Sequence, residues 1–116
     1  KSDGKVGIGV ASPTYKLEIQ HAGLTEARIK ATSGGRARLR LDAHTEIPEI
    51  YFSIGGTDVT ALYQSANGNT FGVYSFNNSS NVATFDIANN RVGIGTDAPS
   101  DIIDIQKSNQ DYPHPR

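Results

Sequence analysis

The sequence predicts an all-β protein: a small β-sandwich or β-prism-like module flanked by short β connectors. Three observations support this fold class. Between residues 21 and 90, apolar residues recur with a period of two rather than 3.6. Clusters of Gly, Asn, Asp and Ser, which favour turns, separate the alternating runs. No window has the pattern of an amphipathic helix.

The strands are predicted in order along the chain. Residues 26–31 and 36–47 alternate between apolar and polar side chains, as half-buried strands do. The run at 36–47 reads RARLRLDAHTEI. Four further runs, rich in β-branched and aromatic residues, predict strands at 49–54, 58–63, 70–76 and 81–87. Asn67-Gly68 predicts a tight hairpin between two of them.

One sixteen-residue sequence occurs twice. KVGIGVASPTYKLEIQ begins at Lys5, and RVGIGTDAPSDIIDIQ begins at Arg91; the two align without a gap. Two copies indicate one module between two connectors rather than a solenoid. The predicted organisation is a connector at 1–20, a central β module at 21–90, a second connector at 91–107 and a linker or frayed end at 108–116.

The glycines of the repeat have two possible roles. A phosphate-binding loop needs a third glycine and a following helix, whereas here a proline and a strand-like run follow. The structural role fits better, because glycine in a strand lets another backbone approach closely and proline then favours a turn. The predicted structural residues are Gly7, Gly9, Pro13, Gly93, Gly95 and Pro99.

The phrase DIANNRVGIGTDAPSDIIDIQ, residues 86–106, resembles the GIGT-x-x-P connector of bacteriophage tail fibres, tailspikes and neck appendages. In those proteins it often precedes an intramolecular chaperone of the peptidase S74 type. The resemblance implies an intertwined homotrimeric fibre, located in the virion and extracellular. Its partners would be two further copies and other tail or fibre proteins. The chain is expected to be part of a longer fibre or the product left after a chaperone is released.

Composition excludes several function classes. The formal charge of −1 predicts no nucleic-acid partner, and no apolar run approaches the length of a membrane span. No cofactor and no metal are expected. Asp42, His44 and Glu46 fall on one strand face, but same-face neighbours are about 6.5–7 Å apart, too far for three to share one ion.

The leading prediction is a structural fibre segment that contributes to host attachment, with a carbohydrate-specific receptor-binding knob as the alternative. Arg36, Arg38 and Arg40 suit phosphate or sulfate groups on a host cell-surface glycan, or else cross-strand pairs with acids. Tyr63 and Tyr74 are the predicted sugar-stacking rings. The adjacent loops carry four asparagines: Asn67, Asn69, Asn77 and Asn78.

A polysaccharide depolymerase fragment is the third reading. Paired carboxylates can hydrolyse glycosidic bonds, but their spatial pairing cannot be read from sequence. None of the three histidines lies beside a nucleophile motif. The chain is therefore predicted not to be an enzyme, and no catalytic residue is assigned.

Overall fold

A computed structural model describes residues 4–106, which form eight β-strands and no helix. The all-β prediction is confirmed. The predicted linker at 108–116 lies outside the described residues. The chain divides between Leu39 and Arg40 into two units. Because the described residues contain no helix, they contain none long and apolar enough to cross a membrane.

The first unit contains the first copy of the repeat, folded as two short parallel strands. These are β1 (Val6–Ile8) and β2 (Leu17–Ile19), paired Val6 to Leu17 and Ile8 to Ile19. Only the eight residues 9–16 connect them, whereas parallel strands ordinarily need a crossover of about a dozen residues or more. Gly9 permits the sharp reversal by adopting a φ of 76°.

The second unit is a six-stranded sheet in sequential order. Its strands are β3 (Glu49–Ile54), β4 (Thr57–Gln64), β5 (Thr70–Ser75), β6 (Ser80–Asp86), β7 (Arg91–Ile94) and β8 (Ile103–Ile105). Each consecutive pair from β3 to β7 is antiparallel, whereas β8 pairs parallel to β7. The second copy of the repeat is therefore part of the same sheet as the central strands.

The strands predicted at 49–54, 58–63, 70–76 and 81–87 are confirmed as β3 to β6. The Asn67-Gly68 hairpin is also confirmed. Gly68 has a φ of 77°, which glycine adopts without a steric cost. The Asn67 side chain accepts hydrogen bonds from Ser65 Oγ (2.7 Å) and from the Asn69 backbone N–H (3.0 Å). This asparagine therefore stabilises the turn.

The strands predicted at 26–31 and 36–47 are wrong for this chain. Residues 20–48 form no strand, and every residue from His21 to Asp42 is exposed. Alternation reports how side chains would divide between two faces. It does not supply the neighbouring strand whose N–H and C=O groups a ladder needs.

The two faces of the six-stranded sheet differ in chemistry. One, the apolar face, consists of two rows of side chains that the strand register places side by side. The first row is Ile50–Leu62–Val73–Ala83–Ile94–Ile105, and the second is Phe71–Phe85–Val92–Ile103, which begins beside the polar Gln64 of β4. The first row is apolar on all six strands. None of these ten side chains is buried.

The opposite face, the tyrosine face, contains the row Glu49–Tyr63–Gly72–Thr84–Gly93–Asp104 and the shorter row Tyr51–Ala61–Tyr74–Asn81. All five buried residues among those described belong to it or to the loop covering it: Ala61, Gly72, Thr84, Gly93 and Pro99. The small core of this unit therefore lies on the tyrosine face, and the apolar face is left uncovered.

Candidate functional site

A glycine in β5 leaves room for the ring of one tyrosine on the tyrosine face. Tyr63 pairs with Gly72 on the neighbouring strand, and its ring lies across that position. A Cβ atom at Gly72 would come 2.6 Å from Cζ and 2.8 Å from Oη of Tyr63. The missing side chain thus lets the ring reach β6, where Asn81 Nδ2 donates a 2.8 Å hydrogen bond to Tyr63 Oη.

Polar groups continue from this tyrosine to the second connector. Asn81 Nδ2 also donates to Thr84 Oγ1 at 3.3 Å, and Thr84 Oγ1 donates to Asp97 Oδ1 at 3.4 Å. Thr84 has no exposed surface, so its hydroxyl needs such partners. The chain of hydrogen bonds attaches the loop 95–102 to the tyrosine face.

The first glycine of the second connector makes room for this loop. A Cβ atom at Gly93 would come 2.6 Å from the carbonyl oxygen of Thr96 and 3.5 Å from Cβ of Pro99. Arg91 Nη1 donates to the Pro99 carbonyl at 3.1 Å. The group that approaches this glycine is the chain's own loop, and the close packing of separate chains at the connector stays a prediction.

The second glycine of each connector has a different task. Gly95 has a φ of 74°, and a Cβ atom there would overlap the carbonyl oxygen of Gln106. Gly9 has a φ of 76°, and its Cβ would overlap the carbonyl oxygen of Gln20. A side chain at either position would be strained as well as blocked.

Proline completes the same fold in both copies. The predicted turn and second strand are confirmed after Pro13 and Pro99, which pack near Gly7 and Gly93 respectively. The ends of the paired strands match: the Gln20 N–H donates to the Ile8 carbonyl, and the Gln106 N–H donates to the Ile94 carbonyl, both at 2.9 Å.

A carboxylate closes the turn of each connector. Glu18 accepts from the Thr14 backbone N–H (2.6 Å) and hydroxyl (3.1 Å). Asp104 accepts from the Ser100 N–H (2.9 Å) and hydroxyl (3.0 Å). The backbone hydrogen bond lowers the pKa of Glu18 and of Asp104, because donors stabilise the charged form.

The tyrosine face also carries a pocket of about 410 Å³, entirely within the second unit. Four aromatic rings form much of its wall. Phe76 contacts Tyr51 and Tyr74 edge to face, with ring centroids 5.2 and 5.1 Å apart. The full lining is Ile47, Glu49, Tyr51, Ala61, Tyr63, Tyr74, Phe76, Ser79, Ser80, Asn81 and Asp97.

Two carboxylates and no basic side chain line this pocket. A hydrogen bond to Glu49 raises the pKa of Tyr51, because the carboxylate stabilises the protonated phenol that donates to it. The site therefore has acidic character around an aromatic wall. Such a wall, with a few polar groups at its rim, is typical of ligand pockets.

The predicted ligand residues separate in the structure. Tyr63 and Tyr74 both line the pocket and are half-buried rather than fully exposed. Arg36, Arg38 and Arg40 are exposed residues of the strand-free segment and do not line it. The four loop asparagines do not line it either: Asn67, Asn69, Asn77 and Asn78.

Asp42, His44 and Glu46 were not expected to bind a metal. In the part of the chain that the structure describes, no three His, Asp or Glu side chains are grouped closely enough to hold an ion.

Sequence reasoning missed five polar residues of the pocket: Glu49, Ser79, Ser80, Asn81 and Asp97. Glu49 could have been found, because alternation along β3 places it on the face of Tyr51. Asn81 and Asp97 could not, since their positions depend on the bulge between β5 and β6 and on a loop folding back.

The chain matches no protein-family model and no curated protein sequence. Function must therefore be inferred from the geometry of the sheet and its pocket.

Proposed function

We propose that this chain is a structural segment of a homotrimeric viral fibre or appendage of the phage-tail type, which contributes to host attachment. The observation that carries the proposal is the uncovered apolar face. Its outer members are widely exposed: Ile94 by 40%, Ile103 by 66% and Ile105 by 74%. Monomeric proteins rarely expose continuous apolar patches beyond a few hundred Å².

Association would bury this face. Removing apolar surface from water contributes about 25 cal/mol per Å², and the row spans all six strands without a polar interruption. The first connector carries an equivalent pair of apolar residues, Val6 and Ile8, which are 56% and 55% exposed. They stand where Val92 and Ile94 stand in the second copy. A stripe that recurs with the repeat suits a fibre built of successive segments.

The number of copies comes from the resemblance of the connector. A second copy could cover the apolar face as a sandwich, and three copies could enclose it as a prism. The GIGT-x-x-P pattern resembles the connectors of trimeric fibres and tailspikes, so we favour three chains in a virion, exposed to the outside. Other tail or fibre proteins would join its ends.

Two other functions remain predictions. The receptor-binding knob gains support from the pocket, which brings Tyr63 and Tyr74 together. The depolymerase fragment would need a pair of carboxylates, and Glu49 and Asp97 line the same pocket.

The test places a charge on the apolar face. Ile94→Asp and Ile103→Asp should shift the chain from three times 12.4 kDa towards 12.4 kDa in sedimentation at one fixed concentration. Asn77→Asp adds the same charge at an exposed turn and should leave the mass unchanged. Circular dichroism verifies that each variant retains its sheet.

If both isoleucine variants sediment like the unmodified chain, the apolar face is not the interface and the proposal fails.

A further inference from the structure

The pocket on the tyrosine face is a separate feature from the apolar face. The two lie on opposite sides of one sheet, so a partner that covers the apolar face leaves the pocket accessible. At about 410 Å³, its volume falls within the range of about 300–1,000 Å³ common for ligand sites. All of its walls come from one unit of one chain.

Each tyrosine ring of the pocket has a neighbour that restricts its position. Tyr63 is held by Gly72 beneath it and by the hydrogen bond from Asn81. Tyr74 and Tyr51 are held edge-on against Phe76. A ring that is already held in place loses little conformational entropy when a ligand binds. A weak stacking interaction is then enough for binding.

The polar groups at the rim suit hydroxyl groups. Glu49 and Asp97 carry carboxylate oxygens, which accept hydrogen bonds. Asn81 offers its carbonyl oxygen as a further acceptor, because its Nδ2 already donates to Tyr63 and Thr84. Ser79 and Ser80 add two hydroxyls. A ring with one apolar face and several hydroxyls at its edge matches both parts of the pocket.

The charge of the lining restricts the ligand further. With two carboxylates and no lysine or arginine, the pocket disfavours sulfate, phosphate and carboxylate groups on a ligand. A cationic amino group would be tolerated, because it interacts well with both carboxylates and aromatic faces. This differs from the expectation based on Arg36, Arg38 and Arg40, which suit acidic glycans.

We propose that the pocket binds a pyranose sugar that carries no acid group, either neutral or bearing an amino group. The sugar stacks on Tyr74 and Tyr51, and its hydroxyls bond to Glu49, Asn81 and Asp97. The inference deepens the proposed attachment function and rests on it for the biological source of the sugar. The binding itself needs only the second unit.

The experiment titrates the full chain with three probes: methyl galactoside, glucosamine and N-acetylneuraminic acid. Saturation-transfer NMR should detect the first two and not the third. Tyr74→Ala should weaken the binding of both at least tenfold. Tyr15→Ala is the matched control, since Tyr15 is 72% exposed and lies outside the pocket.

Glu49→Gln guards against a folding defect, because Glu49 is an exposed residue and the change keeps its shape. It should weaken glucosamine binding more than galactoside binding. Preferred binding of N-acetylneuraminic acid, or no saturable binding of either other probe, would overturn the assignment. Release of reducing ends from an oligosaccharide would replace it with a hydrolytic site. Sedimentation of the same samples separates failure of this site from failure of the trimer.

Discussion

The two connector copies share an internal geometry and differ in what surrounds them. Both pair two short parallel strands through an eight-residue loop, with a left-handed glycine and a carboxylate that closes the turn. The first copy forms a two-stranded sheet alone, whereas the second extends a six-stranded sheet. The repeated sequence therefore specifies a local shape, and its surroundings decide what that shape is attached to.

The second copy is attached to its sheet by contacts that have no equivalent in the first copy among the described residues. β7 pairs with β6, the Gly95 N–H donates to the Val82 carbonyl at 3.1 Å, and Asp97 accepts from Thr84. Ala11 stands where the second copy has Asp97. An alanine cannot accept such a bond. This substitution is one of several sequence differences between the two loops, and it is the one that removes the bond to Thr84.

The largest expected effect comes from a side chain on the left-handed glycine. Gly95→Val should destabilise the six-stranded sheet by about 2–6 kcal/mol, because strain and overpacking each cost about 1–3 kcal/mol. Gly9→Val creates the same local clash in the first unit and should leave the stability of the six-stranded sheet unchanged. Hydrogen exchange by mass spectrometry on peptides from β4 and β5 measures the stability of this sheet in both variants.

Equal loss of protection in β4 and β5 for the two variants would contradict the division into independent units.

A smaller effect is expected from removing the loop attachment. Asp97→Ala makes the second copy resemble the first and leaves the buried Thr84 hydroxyl with one partner fewer. A hydrogen bond of this kind contributes about 0.5–1.5 kcal/mol. Urea denaturation followed by tyrosine fluorescence should show a loss of that size. Ala11→Asp is the reciprocal control and should leave the transition unchanged.

Should Asp97→Ala prove neutral, the loop is held by its other contacts, among them the packing around Gly93 and the hydrogen bond from Arg91 to the Pro99 carbonyl.

The smallest effect concerns pH and should be shared by both copies. The lowered pKa of Glu18 and Asp104 means that each carboxylate stabilises its turn when charged. This contribution is fully present above the ordinary values of 4.5 and 3.8 and is lost as pH falls through the lowered values. NMR titration of the Thr14 and Ser100 amides should report both midpoints below the ordinary ones.

Ser100→Ala removes only the hydroxyl donor, so it should raise the Asp104 midpoint slightly and leave Glu18 unchanged. Midpoints at the ordinary values would contradict the turn geometry.

Much of the fold could be predicted because it depends on local signals. Period-two alternation gave β3 to β6, Asn67-Gly68 gave the hairpin, and the repeat gave two equivalent turns. The role of Gly93 and Gly95 was also predictable, since glycine followed by proline excludes a helical phosphate loop. These features need only a few neighbouring residues.

The remaining features depend on residues far apart in sequence. Alternation at 36–47 predicts a strand, but no strand among residues 4–106 pairs with this segment. Tyr63 and Tyr74 are predictable as sugar-stacking rings. Their pocket also depends on the space at Gly72 and on the loop that carries Asp97. The charge of Arg36, Arg38 and Arg40 predicts binding of acidic glycans, but these residues do not line that pocket.

The central claim is that copies of this chain cover one another's apolar face. Sedimentation equilibrium of the unmodified chain over a wide concentration range tests it most directly. A single species of three times 12.4 kDa is predicted. A monomer of 12.4 kDa that remains stable and soluble at every concentration would contradict it.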